Sequence, residues 1–400
     1  MLDLFVAREK IAQAASALAR SETLPLSQAR GRILAEDCLA LVDVPPAANS
    51  AMDGYALVAP SSPPPCTLPI SQIIAAGTPP KPLEQGTAAR IFTGAEIPPG
   101  ANAVVIQEDC DATAETVTVR VAVKPSENIR QQGQDLQRGQ LVAKKGERLT
   151  AVHLGLLASC GISVVTVAAK PRIALLSTGS ELIEPGQTLA PGQIYNSNQF
   201  MLAALLEDWG CEVVFKGRVE DDLEKTRRLL SEWAEAVDLI VTSGGVSVGD
   251  ADHLKAAISS TGELNLWKVR LKPGKPLAFG HIHHTAGKTP VIALPGNPVS
   301  SFVTAALFIK PFIAGLCGQP YRPLEFRPQV SGFSIDRPNK RPELIRVKWE
   351  NGKLQRFSNQ SSGVLSSVVW ADGLAWIEAD ICVRAGDTVP YIAMSDLLSL

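Results

Sequence analysis

The chain has 400 residues, 46% of them hydrophobic and 20% charged, an ordinary globular composition, and such a length predicts roughly two to four domains. A net charge of -2 speaks against nucleic-acid and anionic-membrane partners. Seven cysteines without a CxxC pair exclude a disulfide framework or a zinc site and point to a reducing, cytoplasmic setting.

The N-terminal stretch MLDLFVAREKIAQAASALAR carries Asp3 and Glu9 among spaced apolar residues, as an amphipathic helix does and a signal peptide does not. Helical patterning over residues 1–43 resumes at 140–170, giving one helical domain in two pieces. Thr150 to Ala169 has no formal charge, but Gly161 divides it into a helix-like half and the β-branched run ISVVTV, so it predicts helix, glycine cap and strand and no membrane span. Between the two pieces, residues 44–139 are rich in proline loops and short β-rich runs such as AVVIQEDC and TVTVRVAV, which predicts an inserted β domain.

From Pro171 to Gly318 strands and helices alternate. RIALLST, CEVVFKGRV, VDLIVTS and TPVIAL are strands, interleaved with helices beginning at NSNQF, DDLEK, DADHL and PVSSF. Alternation of this kind predicts a doubly wound parallel α/β sheet over 171–318. Over 319–400 only short strands remain, among them LIRVKWE and LAWIEAD, which predicts a C-terminal β-barrel. The fold class is thus multidomain α/β.

Ligands of an open parallel sheet bind outside the carboxyl ends of its strands. The residues there are TGSEL with Thr178, Gly179 and Glu181; EDD with Asp221; GGVSVGDAD after Ser243; and PGNP at Pro295–Pro298. LWKVRLKPGKPLAFG adds Lys268, Lys272 and Lys275 around a Pro-Gly-Lys-Pro turn. Each feature has a plain structural use: a glycine makes a tight turn, and an acid such as Asp222 or Asp250 caps a helix for about 1 kcal/mol. Their convergence on one edge is what points to a site. Known nucleotide signatures fail, since GGVSVGDA lacks the lysine of a P-loop and no GxGxxG follows a strand. His281, His283 and His284 fall in a hairpin tip, which weighs against a metal trio. Two carboxylates about 4 Å apart repel by roughly 4 kcal/mol at an effective dielectric near 20, so neighbouring acids call for a cation. Oxygen ligands beside a phosphate cradle suit Mg²⁺, and the chemistry predicted is metal-assisted transfer at a phosphoryl centre.

At these residues the sequence resembles the molybdopterin molybdenumtransferase family, to which the gephyrin E domain is related. The matching strings are NSAMDGYA, RIFTGAEIPPGANAVV, NIRQQGQD, LLSTGSEL, GQIYNSN, TSGGVSVGDADH, LKPGKPLAFG and LPGNPVSS, in order along nearly the whole chain. The resemblance implies an elongated helical domain, an inserted β domain, a molybdopterin-binding α/β domain and a C-terminal barrel, assembled as a homodimer with the site shared between subunits. It implies insertion of molybdenum from molybdate into adenylylated molybdopterin with release of AMP, assisted by Mg²⁺. Carried onto this chain, the pterin and its phosphate lie on Thr178, Gly179, Ser243, Gly244, Gly245, Ser247, Lys275, Pro295, Gly296, Asn297 and Pro298. Glu181, Asp221 and Asp252 hold the metal, Lys268 and Lys272 face molybdate and the AMP phosphate, and Asp53 and Thr93 reach in from the neighbouring subunit. Arg346 and Ser362 stand at functional positions of the barrel. Gln134 replaces the acid expected before Asp135, and the barrel matches less closely than the rest. The preceding adenylyltransferase and a non-catalytic scaffold of the same fold are the alternative readings. Expected partners are the two substrates, the adenylyltransferase and the enzymes that accept the cofactor.

Overall fold

The structure, a computed structural model, describes residues 1–219, 222–245 and 253–400. The chain divides into two units, Thr23–Val167 and Met1–Glu22 with Ala168–Leu400. The first helix, α1 (Leu4–Gln13), is capped by the Asp3 carboxylate, which accepts the Phe5 and Val6 amides. It belongs to the larger unit, whereas the sequence pattern groups it with the segment that follows. That segment is not helical as its spacing predicts: it holds strands Ser21–Pro25 and Cys38–Leu39 and one short 3₁₀ turn. Gly31 sits at φ +79°, and Ile33 and Leu34 bridge to Arg148 and Val167, so cross-chain pairing overrides the local period.

The smaller unit is built on a six-stranded sheet of β1 (Gly54–Leu57), β2 (Cys66–Ile74), β3 (Ala88–Ile91), β4 (Ala103–Ile106), β5 (Cys110–Ala112) and β6 (Thr116–Val119), in the order β4-β1-β3-β2-β6-β5. Alternate side chains of β1 feed two cores, Tyr55 and Leu57 on one face and Ala56 on the other. Gly54 is demanded by proximity: a Cβ there would lie 1.8 Å from the Val105 carbonyl oxygen of β4. Helix α2 (Ala151–Ser159) starts with a reciprocal Thr150–His153 cap. Gly161 at φ +80° ends it and strand Val164–Ala168 follows, the helix–glycine–strand order read from composition.

In the larger unit the main sheet comprises β7 (Arg172–Thr178), β8 (Glu212–Val219), β9 (Leu239–Ser243), β10 (Gly262–Lys268), β11 (Pro276–His284) and β12 (Gly287–Leu294), in the order β8-β7-β9-β12-β11-β10. Four strands are parallel, as a doubly wound sheet requires, and β11 alone is reversed, running antiparallel to its neighbours β12 and β10. The cause is the short turn at Thr285–Ala286, which can only return the chain antiparallel. The interior of β7, Ile173 to Leu176, is fully buried because both faces are covered. Helices α4 (Leu223–Ala234) and α5 (His253–Thr261) pack one face, with Leu230, Trp233 and Ile258 against Ala174, Ile240 and Val291. Helix α3 (Ser197–Asp208) also packs on the sheet, contacting β7 and β8, and in addition the long helix α6 (Pro298–Leu316). α6 is long and apolar enough to cross a membrane, yet 83% of its apolar window is buried in the fold.

The last segment forms β13 (Arg327–Val330), β14 (Glu343–Glu350), β15 (Lys353–Arg356), β16 (Gly373–Ile377) and β17 (Thr388–Ala393), ordered β13-β17-β16-β14-β15. A bridge between Ser331 and Leu354 brings the two edges together, closing the sheet around Ile345, Val347, Leu354 and Ala375.

Candidate functional site

Chain direction reverses its march across the sheet between β7 and β9: β8 is added on one side of β7 and β9 on the other. This is the switch point at which an open α/β sheet leaves a crevice. The turns there are packed closely enough to need glycine. Gly244 is at φ +94°, and a Cβ on it would come within 2.8 Å of both the carbonyl oxygen and Oγ1 of Thr178. Gly296, from the PGNP turn, lies against Gly244. At Gly179, φ +145°, the space a Cβ needs is taken by the Glu181 carboxylate, 2.5 Å away, so this acid folds back over the end of β7.

Asn198, in the first turn of α3, ties two of these turns together. Its buried Nδ2 donates to Ser243 Oγ at 2.8 Å and to the Gly296 carbonyl at 2.7 Å, leaving its Oδ1 without a partner. The fixed contacts thus assemble Thr178, Gly179, Glu181, Ser243, Gly244 and Gly296 at one place. Gly245 follows at φ +67°. Asp221, Ser247 and Asp252 lie outside the described residues, as does Asp250.

Beyond the PGNP turn opens a cavity of about 890 Å³, walled by the KPGKP loop and Pro295, Asn297 and Ser300 on one side and by barrel loops on the other. Its charged lining is Lys272, Lys275, Arg337, Arg341 and Arg356 against Asp336 and Glu343, five cations to two carboxylates. Gly274, at φ +105°, lets the loop touch α6: a Cβ would meet Thr304 Cγ2 at 2.6 Å. Lys272 is not a free cation. Its Nζ pairs at 2.8 Å with Glu343, whose other oxygen accepts Asn339 Nδ2 at 2.6 Å. Ser362 lines the same cavity and its carbonyl accepts the Val299 amide at the start of α6.

Arg346 lies fully buried in β14. Nε donates to Ser367 Oγ and Nη2 to the Ser361 carbonyl, while Nη1 has no partner. Burial pushes its guanidinium pKa down to about 10, against the pull of Glu343, so it stays charged near neutrality. Lys268, at the end of β10, is exposed and is not part of the cavity wall.

Asp53 and Thr93 belong to the smaller unit. The Asp53 carboxylate accepts both the Thr93 amide and hydroxyl at 2.7 Å, and these bonds hold its pKa below the usual carboxylate value, helped by Arg90. Arg90 stands 5.0 Å from the rings of both Tyr55 and Phe92 and donates to the Gly54 carbonyl, so it braces the same turn.

Sequence reasoning passed over Asn198 and the barrel wall. Asn198 lies in the quoted string GQIYNSN but carries no charge to draw notice. Asp336, Arg337, Asn339 and Arg341 sit in DRPNKRPE, a dense charged loop whose Pro and Asn read as an ordinary turn.

A glycine-lined crevice at an α/β switch point, next to a cationic cavity walled by the barrel, is the setting in which multidomain α/β enzymes bind anionic ligands. The chain matches the MoeA N-terminal region (domain I and II) over residues 2–161, a probable molybdopterin binding domain over 174–315 and the MoeA C-terminal region (domain IV) over 330–394. It belongs to the molybdopterin molybdenumtransferase family. The molybdopterin molybdenumtransferase of Haemophilus influenzae is 40% identical over 100% of both chains, and molybdopterin molybdenumtransferase 2 of Mycobacterium tuberculosis is 37% identical over 92% of this chain and 94% of that one. The crystal structure of the molybdopterin biosynthesis moeA protein from Pyrococcus horikoshii OT3 superposes with a TM-score of 0.84 at 28% identity, covering 98% of this chain and 100% of that one.

Proposed function

We propose that this protein transfers molybdenum from molybdate into adenylylated molybdopterin, releasing AMP. The observation that carries the reading is the cavity of about 890 Å³ with five cations to two carboxylates, opening beside the PGNP turn of the switch-point crevice. A reaction that brings an oxyanion to a phosphate-bearing substrate needs such a place, where repulsion between the two is offset by fixed positive charge. The pterin and its phosphate rest on Thr178, Gly179, Ser243, Gly244, Gly245 and the Pro295–Pro298 turn, with Ser247 completing the cradle. Molybdate is drawn to Lys275 and the barrel arginines, with Lys272 released to it from Glu343. The unpartnered Nη1 of Arg346 is a donor in reserve behind Ser361 and Ser362.

The hard oxygen donor that Glu181 holds over Gly179 suits Mg²⁺, and Asp221 and Asp252 would complete the set. When bound, the ion would polarise the adenylate phosphoryl oxygens. The subunits act as a homodimer, Asp53 and Thr93 completing the partner's site; the exposed Leu39, Leu41 and Val42 of the smaller unit support such an interface. The enzyme works in the cytoplasm, receives its substrate from the adenylyltransferase and passes its product to enzymes that use the cofactor. The adenylyltransferase reading is not favoured, because the cavity is half barrel and the relatives match the chain from end to end.

The test is AMP release from purified adenylylated molybdopterin and molybdate. Lys275→Met should raise the molybdate concentration needed, and Glu181→Ala should stop turnover while leaving the fold intact. Unchanged kinetics in both variants would refute the assignment.

A further inference from the structure

We propose, resting on the function proposed above, that Asn198 is a positioning residue. It holds the Ser243 hydroxyl in the one orientation that donates to an anionic ligand, so that Ser243 meets the phosphates of the adenylylated pterin as a donor.

The direction of the Asn198 amide is fixed by its partners. The Gly296 carbonyl can only accept, so the atom facing it at 2.7 Å is Nδ2. The same nitrogen lies 2.8 Å from Ser243 Oγ. An amide nitrogen carries two hydrogens, and these two bonds use both. Ser243 Oγ therefore accepts, and its own hydrogen is left to give. That hydrogen has no acceptor among the described residues. A free hydroxyl can turn to accept or to donate; one already accepting from Asn198 is preset to donate, which is what an incoming anion requires.

Asn198 is 8% exposed and Ser243 3%. Ser177 stands beside Ser243 in the parallel register of β7 and β9, on the same face, and is fully buried. Asn198 Oδ1 and Ser177 Oγ both lack a partner. Buried polar atoms that serve stability alone are nearly always paired, so the floor of the crevice carries polar groups that the fold by itself leaves unmet. The amide is also carried on a firm support. Asn196 Oδ1 accepts the Gln199 amide at the start of α3, Leu202 and Leu206 of α3 are buried, and the helix packs on β7, β8 and α6. The PGNP turn keeps a second fastening, from the Val299 amide to the Ser362 carbonyl. Loss of the Asn198 amide therefore frees the Ser243 hydroxyl more than it moves the turn.

The full chain is assayed for AMP release from adenylylated molybdopterin and molybdate. Its binding of inorganic pyrophosphate, the linkage within that substrate, is measured by calorimetry. A bond to an anion made equally in the ground and transition states appears in KM. Asn198→Ala should therefore raise KM for adenylylated molybdopterin and the pyrophosphate Kd about tenfold while kcat holds. A mere loss of folded protein lowers kcat and leaves KM. Asn198→Asp, which keeps the shape but withdraws both N–H donors, should raise the two constants at least as far. Ser243→Ala should raise them too, and the double variant Asn198→Ala with Ser243→Ala should add little, because Asn198 acts through Ser243. Leu206→Ala, about two turns further along α3, should lower the urea midpoint and leave both constants in place. No pyrophosphate binding by the parent chain, losses that multiply in the double variant, a fall in kcat without a rise in KM, or a Leu206→Ala effect equal to that of Asn198→Ala would each overturn the proposal. A parent chain that shows this coupling with pyrophosphate but releases no AMP would uphold the role of Asn198 and overturn the reaction instead.

Discussion

Gly244→Ala tests the switch point most directly, because its cost can be worked from geometry and separated into parts. An alanine Cβ would lie 2.8 Å from the Thr178 carbonyl oxygen and from Thr178 Oγ1, and the residue would keep a φ of +94°. The left-handed backbone costs about 1–2 kcal/mol for a residue with a Cβ, and forcing an extra methyl into a packed place costs about 1–3 kcal/mol. Gly186 supplies the control. Its φ is +96°, but no atom lies within 4 Å of the Cβ position, so Gly186→Ala bears only the backbone part. Urea midpoints of the two variants should therefore differ by the steric part alone, about 1–3 kcal/mol. Combining Gly244→Ala with Thr178→Ala removes the Oγ1 contact and leaves the main-chain one, so less than the whole steric loss should return. AMP release should fall in Gly244→Ala and hold in Gly186→Ala. Equal midpoint shifts in the two single variants, with activity kept in both, would refute the close approach of the β7 and β9 turns.

Glu343→Gln keeps the shape of the side chain and removes the charge opposite Lys272; we expect a loss of about 1–3 kcal/mol and a lower molybdate requirement, read from urea midpoints and initial rates. An unchanged molybdate dependence would show that Lys272 does not serve the oxyanion. Gly54→Ala places a Cβ 1.8 Å from the Val105 carbonyl and so must part β1 from β4; the smaller unit should become sensitive to limited proteolysis while the larger one resists. Lys310 gives a signed pH dependence. Its folded pKa of about 8 lies below the unfolded value, near 10.4, so between them the unfolded state binds more protons and stability rises with pH. The stability of the parent chain minus that of Lys310→Met should be flat below pH 8 and then climb by up to about 3 kcal/mol; a flat difference up to pH 10 would place Lys310 in water.

Much of the larger unit was legible because its strands are apolar runs ended by glycine or proline, and burial on both faces erases any alternation that would mislead. The TGSEL, SGG and PGNP turns fell on one edge for the same reason, since each follows such a run. What escaped notice depended on partners remote in sequence. Leu24 to Leu34 has apolar spacing compatible with a helix, but Leu34 and Ala35 spend their amides on Glu147 and Thr166. The strands β10 and β11 were hidden inside a segment read for its lysines, and only their mutual register shows the sheet turning antiparallel. Asp336 to Arg341 form no pattern until barrel closure sets them facing the KPGKP loop.

The two charge environments of the site are parted by one turn. Acid lies on the crevice side, where Glu181 covers Gly179, and the cations lie on the cavity side, from Lys275 to Arg356. The Pro295–Pro298 turn between them is fastened to both walls: the Gly296 carbonyl accepts Asn198 from the α/β layer, and the Val299 amide just beyond donates to the Ser362 carbonyl of the barrel. Pro298 opens α6 at a position where a missing N–H is tolerated and φ is already set, so the turn has little freedom of its own. Its position therefore follows the spacing of the barrel from the sheet. A change in that spacing moves the glycine-lined crevice and the cationic cavity together, which makes the barrel, the part of the chain least readable from sequence, a wall of the candidate site.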